Sequence, residues 1–250
     1  MNVKDLLNHI DSFAPFSLAE EWDNPGLIVG SINAEVKKAA VALDAVSEAV
    51  IEAGRQGCNV LVCHHPLIFR PLKHVCTDDD TGRTIAEAVR SNIAIIAAHT
   101  NWDKSDGGVN DTLALLLGLK DTEPLTENFG VRGICPEGIT PEHIKYSWQL
   151  SRLDIYAGHM PEKISRIALC GGAGAEFWRA AKDWGADMYI TADMKYHELI
   201  DATRAGLAVA VADHGEMERA SLPELARKIS VCGAETVILN VKALSSPIRI

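Results

Sequence analysis

Apolar runs of strand length alternate with amphipathic segments of helical period along most of the chain. Runs of about four to eight apolar residues are typical of buried strands, and apolar positions that recur every three to four residues predict helices. The alternation favours an α/β fold in which parallel strands are joined by helices. Strands are expected at residues 37–44, 59–65, 93–98, 152–157, 163–170, 188–191, 207–212 and 235–241, with a further short strand after Gly26.

Helices are expected between these strands. Prolines and glycines are scattered from residue 121 to residue 162, where the pattern is weakest. We place a boundary between two lobes inside that stretch, with a first lobe at 1–125 and a second at 126–250. The helices are predicted at residues 2–13, 47–56, 81–91, 109–119, 141–150, 174–184, 197–204 and 216–229.

Histidines and carboxylates follow several of the predicted strands. Ligands of open α/β sheets bind at the carboxyl ends of the strands. Adjacent strand residues face opposite ways, so two neighbouring histidines converge only where a strand has just ended, and Pro66 helps to end it. The side chains gathered at these ends are His64, His65, His99, Asp103, Asp193, His197, His214 and Glu218.

The last third of the chain repeats the first in outline. Residues 57–60 correspond to residues 185–188, and His99 with Asp103 corresponds to His214 with Glu218 at the same spacing. The pattern predicts an internal duplication of a strand–helix–strand–helix–strand unit. The alternative is that any two α/β units look alike.

The collected side chains suit a pair of metal ions. Imidazoles and carboxylates bind zinc, manganese and iron, and one carboxylate can bridge two ions about 3.5–4 Å apart. Such a site lowers the pKa of a bound water to about 7. The sequence has no serine or cysteine nucleophile motif and no P-loop. Residues 171–174 form either a phosphate cradle or a tight turn.

Composition narrows the function classes. The 250 residues carry a formal charge of −10 without a compensating cluster of lysine and arginine, which disfavours nucleic-acid binding. The six cysteines form no CxxC pair, so a reducing cytoplasm is expected. No apolar run reaches membrane-spanning length, and the first residues predict an amphipathic helix rather than a signal peptide.

Six stretches together resemble the GTP cyclohydrolase 1 type 2 homologue family, also called Nif-three-like. The resemblance runs from about residue 2 to the end of the chain and lacks the extra central domain of longer members. The stretches are Trp22-Asp23-Asn24-Pro25-Gly26-Leu27, Cys63-His64-His65-Pro66, Ala98-His99-Thr100-Asn101-Trp102-Asp103, Cys170-Gly171-Gly172, residues 185–197, and His214 with Glu218.

This resemblance implies an internally duplicated α/β sandwich, with two similar interlocked lobes and a dinuclear metal site between them. It also implies a homohexameric ring. Two divalent ions (zinc, manganese or iron) would be bound per subunit, Asp103 would bridge them, and His99 and His197 would lie close by. The implied ligands are His64, His65, Asp103, His214 and Glu218.

The chain departs from the family pattern beside one implied ligand. The family usually has a glycine before the last histidine and an aromatic residue after it, where this chain has Asp213 and Gly215. Both implied ligands remain, so the departure concerns the shape of the pocket and the choice of substrate.

The implied activity is a dinuclear-metal hydrolase that acts on a nucleotide or related small molecule through a metal-bound hydroxide. His197, beside Lys195, is the first candidate for proton transfer, and His99 is the second. Both histidines are alternatively groups that only orient the ligands. The alternative functions are a non-enzymatic hexameric metal-binding scaffold and a regulatory interaction protein.

Overall fold

The computed structural model describes residues 1–127 and 129–243, in which strands and helices alternate. The strands are β1 Gly26–Val29, β2 Lys38–Asp44, β3 Val60–His65, β4 Ala94–Ala97, β5 Lys120–Pro124, β6 Val131–Ile139, β7 Leu153–Tyr156, β8 Ile164–Ala173, β9 Met188–Ala192, β10 Ala208–Ala212 and β11 Glu235–Ile238. The helices are α1 Val3–Phe13, α2 Ser47–Arg55, α3 Asp80–Arg90, α4 Thr100–Lys104, α5 Val109–Leu116, α6 Pro141–Ser147, α7 Trp178–Trp184, α8 Tyr196–Arg204, α9 His214–Arg219 and α10 Leu222–Ser230.

The chain divides into two compact units. The first is Met1–Ser105 together with the chain from Leu222 onward, and the second is Asp106–Ser221. This division differs from the predicted lobes at 1–125 and 126–250, because β11 pairs with β2 and because β5 joins the sheet of the second unit. Residues 244–250, the end of the predicted second lobe, lie outside the described residues.

The first unit is built on a sheet with the strand order β1-β4-β3-β2-β11. All neighbouring strands are parallel except β1, which runs antiparallel to β4. Val60, Leu61 and Val62 of β3 are fully buried, as expected for a parallel strand covered on both faces. The carboxyl ends of β2, β3 and β4 therefore lie side by side at one edge.

The second unit is built on a sheet with the strand order β5-β6-β8-β9-β10-β7. Its central strands β8, β9 and β10 are parallel, and β6 and β7 run antiparallel to their neighbours. Trp178 of α7 and Tyr189 of β9 are part of the core under this sheet. The carboxyl end of β10 leads directly into α9.

The two units share one topology, which agrees with the predicted duplication. In each, three parallel strands joined by helices lie in sequential order, and the third pairs with an antiparallel strand. The side chain of Asn59 accepts hydrogen bonds from the backbone N–H groups of residues 37 and 38. Asp187 does the same for residues 165 and 166. The α/β fold class is confirmed.

Two local predictions were wrong. The helix expected at 216–229 is broken into α9 and α10, because Pro223 lacks an N–H group and its ring clashes with the preceding turn. Residues 120–139 contain β5 and β6, which were not predicted. Among the described residues, no helix is long and apolar enough to cross a bilayer.

Candidate functional site

The carboxyl end of β3 presents two adjacent histidines. Strand pairing includes His65, which lies opposite Asp44 at the end of β2, and Pro66 follows directly. The two imidazole centroids are 5.1 Å apart. His64 is fully buried, whereas the side chain of His65 is partly exposed.

Both histidines use the same ring nitrogen to fix their orientation. The Nδ1 of His65 donates a hydrogen bond to Oδ1 of Asp44 at 2.7 Å, and the Nδ1 of His64 donates to the carbonyl oxygen of Ala98 at 2.9 Å. These acceptors carry no proton, so Nδ1 must carry it, and Nε2 of the neutral ring keeps its lone pair. Metal-binding histidines usually have this arrangement.

A third imidazole joins the pair from the end of β4. His99 occupies the position before α4, and its Nδ1 donates to Oδ1 of Asp23 at 2.8 Å. One ring nitrogen from each of His64, His65 and His99 lies within 4.8 Å of the others. The structure therefore brings together three of the histidines predicted from the strand ends.

Asp23 determines the position of His99 and of the helix that follows it. It accepts hydrogen bonds from the backbone N–H of Thr100 at 3.0 Å and from the Thr100 hydroxyl at 2.5 Å. Burial alone would raise the pKa of Asp23, but the hydrogen bonds from His99 and Thr100 outweigh it and lower that pKa from 3.8 to about 2. The turn at residues 23–26 is therefore more than a turn packed under Trp22.

Asp103 lies one helical turn after His99. The segment forms the helix α4, and the backbone N–H of Asp103 donates to the His99 carbonyl oxygen at 3.0 Å. Asp103 is only 8% exposed, and its Oδ1 lies 3.5 Å from Nε2 of His64. Two ligands of one tetrahedral ion with bonds of about 2.0–2.2 Å lie roughly 3.3–3.6 Å apart, so this separation suits a shared metal.

The second unit carries a histidine and a glutamate on one face of α9. Nε2 of His214 lies 3.1 Å from Oε1 of Glu218, and Glu218 is 3% exposed. The Nδ1 of His214 donates to Oδ2 of Asp193 at 2.5 Å. His214 therefore repeats the arrangement of His64, with Nδ1 donating to an oxygen and Nε2 facing a carboxylate.

The pKa of His214 is raised from 6.5 to about 9. Burial alone would lower that pKa, but the hydrogen bonds and negative charges of Glu218 and Asp193 outweigh burial. A metal ion that binds Nε2 must therefore displace a proton from this ring, which couples binding to pH.

The two histidine–acid pairs are not at equivalent positions in the duplicated units. Val60 pairs with Ala94 in the first sheet, and Met188 pairs with Ala208 in the second. His214 is the first residue of α9, whereas His99 is the residue before the first turn of α4. The predicted match between these pairs is therefore displaced by one residue, although both pairs follow the same strand of the repeat.

Gly172 of β8 lies against the pair on α9. Gly171 and Gly172 belong to the strand, so the prediction of a tight turn or phosphate cradle was wrong at these two positions. Gly172 has a φ of +67°, and a Cβ placed there would lie 2.2 Å from Oε1 of Glu218. Gly172 is therefore required for the close approach of Glu218 to the strand.

The predicted proton-transfer residues differ in their surroundings. His99 lies within the histidine group of the first unit. His197 is the second residue of α8, is exposed, and packs against the ring of Tyr196 at 5.5 Å. Lys195 is exposed as well. In the described part of the chain, His197 belongs to no group of three side chains able to hold a metal.

Sequence reasoning missed two of the carboxylates that orient these histidines. Asp44 ends a strand, so the rule that identified His64 and His65 applied to it as well. Asp23 lies 76 residues before its partner His99, and no local pattern connects the two. Asp193 was recognised at its strand end, and its role is to orient His214.

A duplicated α/β fold with anchored histidines and buried carboxylates at strand ends defines a protein equipped with side chains suited to metal binding. The family model described as Duf34/NIF3 (NGG1p interacting factor 3) matches residues 1–246. The chain belongs to this family. The resemblance stated from the sequence motifs is therefore confirmed.

Individual relatives agree with this assignment. The chain is 38% identical over 214 residues to the GTP cyclohydrolase 1 type 2 homolog of Lactococcus lactis, with 83% of each chain covered. It is 35% identical over 242 residues to that of Clostridium perfringens, covering 92% of this chain and 91% of the relative. The crystal structure of a Bacillus cereus protein related to NIF3 matches with a TM-score of 0.90 and 25% identity, over 100% of this chain and 99% of the other.

Proposed function

We propose that this protein is a metal-dependent hydrolase that acts on a nucleotide or a related small molecule. Two divalent ions of the zinc, manganese or iron type would bind His64, His65, Asp103, His214 and Glu218, with Asp103 as the bridge. The observation that carries the proposal is the shared hydrogen bonding of the three ligand histidines. Each donates Nδ1 to an oxygen atom, so Nε2 is the nitrogen that a metal would bind.

The donor set fits such ions. Imidazole nitrogens and carboxylate oxygens are ligands of zinc, manganese and iron. Asp103 and Glu218 are 8% and 3% exposed, and carboxylates buried this far are usually paired with a positive charge or bound to a metal. The formal charge of −10 further supports a function in which metal ions provide positive charge for an anionic substrate.

When bound, the ions would activate a water molecule and polarise the bond that it attacks. The protein's own contribution is to orient the ligands and to move protons. Asp23 holds the ring of His99 beside His64 and His65, which suits His99 to exchange a proton with substrate or leaving group. His197 is exposed at the start of α8, next to the exposed Lys195. Both side chains are therefore accessible to an anionic substrate.

The proposed substrate class is supported by the names of relatives. The Lactococcus and Clostridium proteins are both named GTP cyclohydrolase 1 type 2 homologs, and GTP is a nucleotide. A nucleotide is therefore the first substrate class to screen.

The cysteines support a reducing cytoplasm as the location of the protein. They are all free thiols in the structure, and disulfides are rare in that compartment.

The test combines metal analysis with a substrate screen. Wild type purified without chelator should contain about two divalent ions per chain and should turn over a member of a nucleotide and phosphoester panel. Asp103→Ala should lose most of the metal and all of the turnover, because the proposed bridge serves both ions. Asp78→Ala, which removes an exposed carboxylate from a loop, is the matched control and should match wild type. Full metal content in Asp103→Ala would refute the bridge.

A second candidate is a non-enzymatic hexameric metal-binding scaffold or regulatory interaction protein. The family description favours it, because that description speaks of an interacting factor of NGG1p. Under either candidate we expect a homohexamer, with a mass of about 160 kDa by light scattering for a 27.0 kDa chain. A measured mass equal to that of one chain at micromolar concentration would contradict this expectation. Metal content without turnover on any panel member would favour the scaffold.

A further inference from the structure

Two aromatic side chains remain exposed beside the histidine group of the first unit. Trp22 is 56% exposed and Phe69 is 45% exposed, and their ring centroids are 5.5 Å apart. By contrast, Trp102 and Trp148 are 0% and 2% exposed. Large aromatic rings normally bury most of their surface in a folded chain. Other aromatic residues, such as Tyr146, are exposed as well, but this pair lies beside the histidine group.

The two rings lie beside His99, the imidazole proposed to transfer a proton. The ring of His99 lies 6.2 Å from Trp22 and 6.1 Å from Phe69, edge to face with both. The ring of His65 in turn lies 5.7 Å from that of His99. A planar group resting on Trp22 and Phe69 would therefore have its edge near the proposed reaction centre.

The backbone beneath Trp22 is tied down on both sides. Before it, Glu20 accepts a hydrogen bond from Lys104 at 2.5 Å and donates its backbone N–H to Thr100. After it, the side-chain amide of Asn24 donates to the carbonyl oxygen of Ile68 at 2.6 Å. This hydrogen bond links the loop of Trp22 to that of Phe69. The exposure of the indole is therefore not the result of an unattached loop.

We propose that Trp22 and Phe69 form a stacking platform for the planar heteroaromatic ring of the substrate. This inference rests on the proposed function and specifies its substrate class, a nucleotide recognised through its base. Base–aromatic stacking tolerates any base, because every base presents a π-face. Arg70 and Lys73 follow Phe69 in the same exposed loop and favour an anionic ligand.

The test compares a probe that has a base with one that lacks it. Binding of GTP and of inorganic tripolyphosphate to the metal-loaded full chain is measured by calorimetry. Trp22→Leu and Phe69→Leu should each weaken GTP binding roughly tenfold to hundredfold, as expected for loss of base stacking. Tripolyphosphate binding and metal content should not change. Trp22→Phe should restore most of the GTP affinity, and Tyr146→Leu, at an 85% exposed aromatic residue elsewhere, should have no effect.

Several outcomes would overturn the platform. These are unchanged GTP binding in both leucine variants, equal weakening of GTP and tripolyphosphate, and no GTP binding by wild type. A drop in oligomer mass for Trp22→Leu would also overturn it, because a second copy of the chain would then cover the rings. The proposed hydrolase fails separately if metal-loaded wild type binds GTP but turns over no member of the substrate panel.

Discussion

At the scale of single residues, the candidate site depends on how each histidine is hydrogen bonded. His64, His65, His99 and His214 all donate Nδ1 to an oxygen, which is a backbone carbonyl in one case and a carboxylate in three. When neutral, the four rings would therefore share one tautomer, with the proton on Nδ1. A carboxylate acceptor also increases the basicity of the ring and so strengthens its Nε2 as a ligand or base.

Removing the two candidate proton-transfer histidines separates proton transfer from ligand orientation. If His99 or His197 is a general acid or base, its replacement by alanine should lower turnover about 10²–10⁴-fold with metal content unchanged. A histidine that only orients ligands should lower metal content instead. The exposed His143→Ala is the matched control. Full turnover in both variants, on whichever substrate the screen identifies, would refute the assignment.

The partly buried pair of Asp23 and His99 predicts a specific dependence of stability on pH. Because the pKa of Asp23 is lowered from 3.8 to about 2, its contribution is fully present above pH 3.8 and is lost as the pH falls through 2. The contribution is about 2 kcal/mol at most. Metal-free Asp23→Asn should therefore be less stable than metal-free wild type at neutral pH, and the difference should shrink between about pH 4 and pH 2. A difference that stays constant in urea titrations over this range would contradict the prediction.

At the scale of elements, the packing of α9 against β8 depends on one glycine, Gly172. In Gly172→Ala the new Cβ would lie 2.2 Å from Oε1 of Glu218 and 3.3 Å from Nε2 of His214, so the carboxylate must move. We expect this variant to lose metal affinity by at least tenfold, as measured by competition with a chelating dye.

Gly118→Ala provides the control for backbone strain. Gly118 has a φ of +70°, close to the +67° of Gly172, but a Cβ there meets nothing within 4 Å. Both variants should therefore be destabilised by about 1–2 kcal/mol, because alanine is disfavoured at positive φ, whereas only Gly172→Ala should lose metal. Equal metal affinity in the two variants would show that the contact with Glu218 does not matter.

The elements that sequence reasoning identified are those with a strong apolar pattern. The buried strands β2, β3, β4, β8, β9 and β10 were all predicted, together with the histidines at their ends. In contrast, every residue of β5 is exposed, so this edge strand has no apolar alternation. The carboxylates of Asp23 and Asp44 were missed because their role depends on contacts between distant segments.

At the scale of the whole molecule, the duplicated units differ in how the chain builds them. The second is one continuous segment, Asp106–Ser221, whereas the first is completed by residues from Leu222 onward. Within the described residues, β11 at the edge of the first sheet pairs with β2, and Glu235 lies opposite Lys38. The second unit is thus formed by one continuous stretch of sequence, whereas the first is formed by two stretches that are far apart in the sequence.

This discontinuity has a consequence for synthesis. When the ribosome has added Ser105, the edge of β2 still lacks its partner, which is encoded about 130 residues later. At about 5–20 residues per second, that edge remains open on the order of ten seconds, a strand template available to any neighbouring nascent chain. The continuous second unit is complete earlier and can fold while the first still waits for its last strand. The half of the protein that is translated first is thus the half that is finished last.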